Sequence, residues 1–164
     1  MIYFIKRKYQ QIRNILRWIP VLWNQFDFDY NYALDVFKFK LLNIADLLDS
    51  DKSHCVGAKD RANRIRMVVR LMDKVYNEDY GIEYQTKLEE IYGKDAFEWN
   101  FIDTNDGTGS SRLKYSYELT ESKSKIKEID KVKQKLFEES RAKQERAHKL
   151  LWKLVEHNIR GWWD

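Results

Sequence analysis

Residues 57–76 read GAKDRANRIRMVVRLMDKVY. Ala58, Ala62, Ile65, Val69, Met72 and Tyr76 recur at spacings of three and four, the period of one buried helix face and not of a strand. The charges fall off that stripe. Arg61 and Arg64, three apart, lie on one flank, and Arg66 and Arg70, four apart, lie on another. Small alanines at the start of the stretch would let a neighbouring helix approach closely. A helix of this kind needs apolar partners, and the flanking sequence supplies them.

Upstream, Tyr30, Leu34, Phe37, Leu41, Ile44 and Leu48 keep heptad-like spacing, and Tyr32, Val36 and Phe39 add a second apolar face. A helix apolar on two faces is central to its fold or sits in an interface. Asp27 or Asp29 is expected to cap its first turn. Residues 49–56 (DSDKSHCV) read as the connection to the arginine-bearing helix.

Further upstream, Ile2, Ile5, Tyr9, Ile12 and Leu16 form an amphipathic stripe, with Lys6, Arg7, Lys8, Arg13 and Arg17 off it. Pro20 is expected to end or kink that helix, since it has no amide donor. A basic amphipathic helix can lie on a membrane. At about four turns, and with a Pro-Trp continuation, it is not assigned there, and no membrane partner is expected.

Downstream, residues 82–92 (IEYQTKLEEIY) read as a shorter helix closed by Gly93. The period then changes. Phe97, Trp99 and Phe101 alternate, as do Leu113, Tyr115, Tyr117 and Leu119, around the turn-rich DTNDGTGSS. That pattern predicts a β-hairpin over residues 97–119, lying on helices or pairing with a second copy. Residues 120–164 read as one long charged helix or two with a break. Its stripe is Ile126, Ile129, Val132 or Lys133, Leu136 and Phe137, then Leu150, Leu151, Leu154 and Val155. Between them EESRAKQERA (138–147) has almost no apolar residue and is expected to cross solvent as an arm. The predicted fold is therefore mainly α, a single domain over 1–164. It comprises a helical core at 1–96, the inserted hairpin at 97–119 and the long C-terminal helix from 120.

Composition fits that outline. One proline and six glycines in 164 residues favour long helices, and the aromatic content argues against disorder. No apolar run is long enough to span a bilayer, and the basic N-terminal stretch lacks the features of a signal peptide. The single cysteine, Cys55, excludes an internal disulfide framework and fits a reducing cytoplasm. Net charge is +4 but uneven: residues 1–22 hold five Lys/Arg and no acid, and residues 23–56 hold three bases against six acids. This is not the uniformly basic face of a dedicated duplex-DNA binder.

No catalytic motif is present: no Walker or Rossmann loop, no HExxH, no GxSxG and no CxxC. Adjacent His54 and Cys55 rarely face one another productively. His148 and His157, nine apart, fall on opposite sides of a helix. The 103–111 loop lacks a calcium loop's spacing. Asp27 and Asp29 read better as caps than as a carboxylate pair. No metal, no cofactor and no enzymatic activity are expected.

Four arginines within ten residues suit bidentate contacts to phosphate or carboxylate. Aromatics upstream could stack on a base. The expected site is Trp18, Trp23 and Tyr30 for stacking, Lys40, Arg61, Arg64, Arg66 and Arg70 for charge, and His54 as a nearby donor. The alternative is equally concrete: the arginines pair with the acidic block at 23–56 and the tryptophans are core.

The spacing Trp18-x4-Trp23, then Asp27-x-Asp29-Tyr30, the Lys40-Leu41 helix, the His54 loop, the Gly57 helix and the terminal Trp162-Trp163-Asp164 resemble a group of small proteins of tailed bacteriophages. The likeness covers residues 18–76 and the last fifteen. It implies a phage origin and the cytoplasm of an infected bacterial host, and it transfers no activity. By analogy with phage sponge proteins, which sequester nucleotide signals without cleaving them, the leading expectation is a homo-oligomeric, non-enzymatic binder of a small anionic ligand of nucleotide type. The alternatives are a protein-interaction or virion-associated protein, and a single-strand nucleic-acid binder tracking phosphates with residues 6–17.

Overall fold

The computed structural model describes residues 2–23, 30–93 and 98–162, with the side chains of Ile2 and Tyr30 outside that description. The chain is mainly α-helical, with one β-hairpin inserted before a long C-terminal helix. In order the elements are α1 (Ile2–Leu22), α2 (Tyr30–Leu48), α3 (Ala58–Tyr76), α4 (Glu83–Tyr92), β1 (Trp99–Asp103), β2 (Ser111–Tyr115), α5 (Ser116–Thr120) and α6 (Lys123–Asn158). A closing 3-10 turn covers Ile159–Trp162. Asp27 and Asp29, expected as caps of α2, lie outside the described residues.

Two compact units divide the chain, residues 1–71 with 154–164 and residues 72–153. In the first unit the buried apolar residues are Leu41, Ile44, Ala45 and Leu48 of α2, Ala62, Ile65, Val68 and Val69 of α3, and Val155 and Trp162. The three-and-four periodicity of α2 and α3 thus marks the core, as expected. Asp60 in the first turn of α3 and Lys74 in its last favour the helix dipole.

α1 does not stop at Pro20. The helix continues to Leu22, and the Trp23 amide donates to the Ile19 carbonyl at 2.9 Å. Proline forfeits its own bond to the preceding turn but imposes a helix-compatible φ, so in a last turn it costs one hydrogen bond and not the helix. Trp18 meets Phe39 of α2 edge-on at 4.8 Å between ring centroids. The apolar stripe of α1 is otherwise exposed: Tyr9 at 66%, Ile12 at 57%, Ile15 at 64% and Leu16 at 59%.

In the second unit Met72, Val75, Leu88, Tyr117, Ile129 and Leu151 are buried. Gly93 closes α4 at φ 92°, its amide donating to the Glu89 carbonyl. The hairpin is antiparallel, with Trp99 opposite Tyr115 and Phe101 opposite Leu113. It is shorter than the alternation predicts. Residues 116–120 turn into α5, where Tyr117 is buried and donates its hydroxyl to Asp130 Oδ1 at 2.9 Å. Burial, and then that bond, push its phenol above the ordinary tyrosine range. Phe97 lies outside the described residues. On the aromatic face of the hairpin Trp99, Phe101 and Leu113 are exposed and Tyr115 is half-buried; on the other face Ile102 and Lys114 are half-buried and Asn100 and Arg112 exposed.

α6 is one unbroken helix, and its polar stretch is not an arm through solvent. Ser140 is 2% exposed, Gln144 Nε2 donates to the Val75 carbonyl at 2.6 Å, and Lys143 pairs with Glu83. Gly81 lies close to the Gln144 side chain. Polar side chains here dock the helix by hydrogen bonds in place of apolar contact, which hydrophobic periodicity does not register.

Candidate binding site

All nine residues expected at the site belong to the first unit. Trp18 is half-buried against Phe39, so one side of its ring is already in contact. Trp23, just past α1, is 78% exposed. Tyr30 opens α2, and its side chain is outside the description. Lys40 is exposed on α2, and His54 is exposed on the connection between α2 and α3.

The arginines of α3 do not share one face. At about 100° per residue, Arg61 falls within the buried arc of α3, between Val68 and Ile65, Arg64 lies to one side of it, and Arg66 and Arg70 lie on the other. Arg66 bridges α3 to α2. Its Nη1 donates to Asp49 Oδ2 at 2.9 Å and its Nη2 to Asp46 Oδ1 at 3.1 Å. Those bonds, Asp49's first, raise the affinity of the guanidinium for its proton. For this residue the pairing with the acidic block is what the structure holds. Arg64 and Arg70 are exposed.

Arg61 is different. The residue is half-buried, and its Nη1 is buried without a hydrogen-bond acceptor among the described residues. Two further buried donors of the same unit share that condition, the Ser53 hydroxyl on the connection and the Trp162 indole Nε1 in the closing turn. A guanidinium and an indole can only donate, and a hydroxyl can do so. Each such group left unsatisfied costs about 1–3 kcal/mol, and native proteins complete them with protein, ordered water or ligand. Arg61 and Trp162 each call for an acceptor, and for a guanidinium an anion supplies it best.

Ser53 and Trp162 were not expected at a site. Trp162 reads in the sequence as a pin for the last helix, and at 2% exposure it is buried as a pin would be. Nothing in residue order signals that its N–H lacks an acceptor. Trp163 and Asp164, which carry the rest of the terminal motif, lie outside the described residues. Among the described residues no group of His, Cys, Asp or Glu is arranged to hold a metal ion.

Compared with protein-family models, curated proteins and solved structures, the chain finds no match. The reading of the site rests on its own residues.

Proposed function

We propose that the chain is a non-enzymatic binding protein that holds a small anionic ligand, of nucleotide type, in its first unit. One observation supports the reading: Ser53 Oγ, Arg61 Nη1 and Trp162 Nε1 are three buried donors of one compact unit that find no acceptor among the described residues. Arg64, Arg70 and Lys40 add positive charge to that unit, and His54 is a further donor on the connection. Arg66 is engaged by Asp46 and Asp49, so it contributes by fixing α3 against α2 and not by reaching a phosphate. A phage origin, with a host immune signal as the ligand, is the setting that the resemblance suggests.

The test is calorimetric titration and thermal shift against inorganic phosphate, cyclic mononucleotides and cyclic dinucleotides. A ligand should bind, and Arg61→Ala should weaken it by about 10–100-fold, the loss of a charge-assisted hydrogen bond, while Tm stays close to wild type. No stabilisation by any of these anions would contradict the reading, and so would an Arg61→Ala variant that simply unfolds.

A second reading, docking to another protein, is favoured by the exposed Trp99, Phe101 and Leu113 face of the hairpin. It predicts a stable macromolecular complex and no nucleotide affinity.

A further inference from the structure

α1 is 21 residues long, roughly 32 Å. On its helical projection Phe4, Ile5, Ile12, Ile15, Leu16 and Ile19 fall within an arc of about 120°, and every one of them is exposed. Trp18 and Val21, the two half-buried residues of the helix, project outside that arc, and Trp18 rests on Phe39. The helix is thus seated on its own unit by one side and presents a continuous apolar stripe to solvent on another.

Charge narrows what can cover the stripe. Lys6, Arg13 and Arg17 line one edge of it, and residues 1–22 contain no acid. Lys8 lies within the arc with its ammonium 5.5 Å over the Phe4 ring. A second copy packed stripe to stripe would bring Lys8, and Arg13, Lys6 and Arg17 on the flank, toward the same cations of its partner with no carboxylate on either helix, which disfavours it. An anionic lipid surface complements both features at once: acyl chains take the stripe, and headgroup phosphates take the basic edge. Tyr9 and Trp23, apolar rings with polar tips, suit the same boundary.

Against the expectation of no membrane partner, which assumed a helix of about four turns where α1 runs 21 residues, we infer that α1 lies in the interface of an anionic bilayer, its apolar stripe down and its basic edge among the headgroups. Among the described residues no helix is long and apolar enough to cross a membrane, and the inferred contact is with the surface. The contact is independent of the ligand reading, since it uses none of Ser53, Arg61 or Trp162.

Flotation of the full chain with vesicles tests it, using phosphatidylcholine alone and phosphatidylcholine with about a third phosphatidylglycerol. The protein should float with the anionic vesicles at low salt and not with the neutral ones. Ile12→Asn with Leu16→Asn, and separately Arg13→Glu with Arg17→Glu, should each reduce that partition by more than about tenfold. All four positions are exposed, and an unchanged Tm checks that the fold persists. Arg61→Ala should float like wild type. Failure to float with anionic vesicles, or flotation equal on both and indifferent to the charge reversal, would overturn the inference. So would a wild-type dimer in sedimentation that Ile12→Asn with Leu16→Asn disperses, because a second copy would then own the stripe.

Discussion

Ser140 lies in α6 with its hydroxyl buried and without a hydrogen-bond partner. A hydroxyl held that way adds desolvation cost and no bond, and serine is a weaker helix former than alanine. Ser140→Ala should therefore be neutral or stabilising by up to about 1 kcal/mol in urea denaturation. A loss larger than about 1 kcal/mol would show that the hydroxyl has a partner after all. The three donors of the first unit have the same unsatisfied chemistry, yet one of them is a guanidinium, whose charge makes an anionic partner the economical completion. Arg66 shows the opposite case. Its position four before Arg70 offered no means to tell a phosphate ligand from an ion-pair partner, and only the register of α3 against Asp46 and Asp49 decides it. Single-residue roles of this kind are set across elements, which is why the sequence left both readings open.

At the scale of elements, periodicity located what it measures. Apolar spacing found α2, α3, α4 and, in α6, the buried Ile129, Leu151 and Val155, though Phe137 and Leu150 of the same stripe are exposed. It misjudged elements held by something else. The 138–147 stretch has no apolar face, yet Gln144 bonds Val75 and Lys143 pairs with Glu83. Gln144→Leu removes one of two hydrogen bonds to the Val75 carbonyl, which keeps the Glu78 amide at 3.2 Å, and should cost about 0.5–1 kcal/mol; an unchanged urea midpoint would contradict that docking role. In the hairpin, alternation through Tyr117 and Leu119 imitated a strand, but a hydrogen bond to Asp130 draws Tyr117 into α5.

The hairpin turn has its own lock. The Asp106 carboxylate accepts from the Thr108 amide at 3.0 Å and from the Thr108 hydroxyl. The hydroxyl bond and then the amide bond hold its pKa at about 2, below the ordinary aspartate value of 3.8. A carboxyl depressed in the folded state stabilises fully above its unfolded pKa and loses that contribution as pH falls through its folded one. The order of the 104–110 turn should therefore weaken between about pH 4 and pH 2, read from the Asp106 carboxyl and Thr108 amide shifts by NMR. An Asp106 titrating near 4 would contradict the lock.

Across the whole molecule, fold class was legible: mainly α, one hairpin, one long final helix. The two compact units were not, because the boundary falls inside α3 and near the end of α6, where no proline, glycine cluster or change of composition marks it. The candidate site was legible only in part. The arginine helix belongs to the same unit as the buried donors Ser53 and Trp162, whose lack of acceptors among the described residues no residue order signals. The exposed stripe of α1 shows the same limit in reverse, since the pattern that announces an amphipathic helix does not say whether the chain itself covers it.

Native mass spectrometry of the protein as purified from its expression host, before and after denaturing release of small molecules, tests the central claim most directly. The account predicts a folded protein carrying a stoichiometric anion of nucleotide size, lost in Arg61→Ala. A wild-type protein with nothing bound, and none taken up when cyclic nucleotides are added, would contradict it.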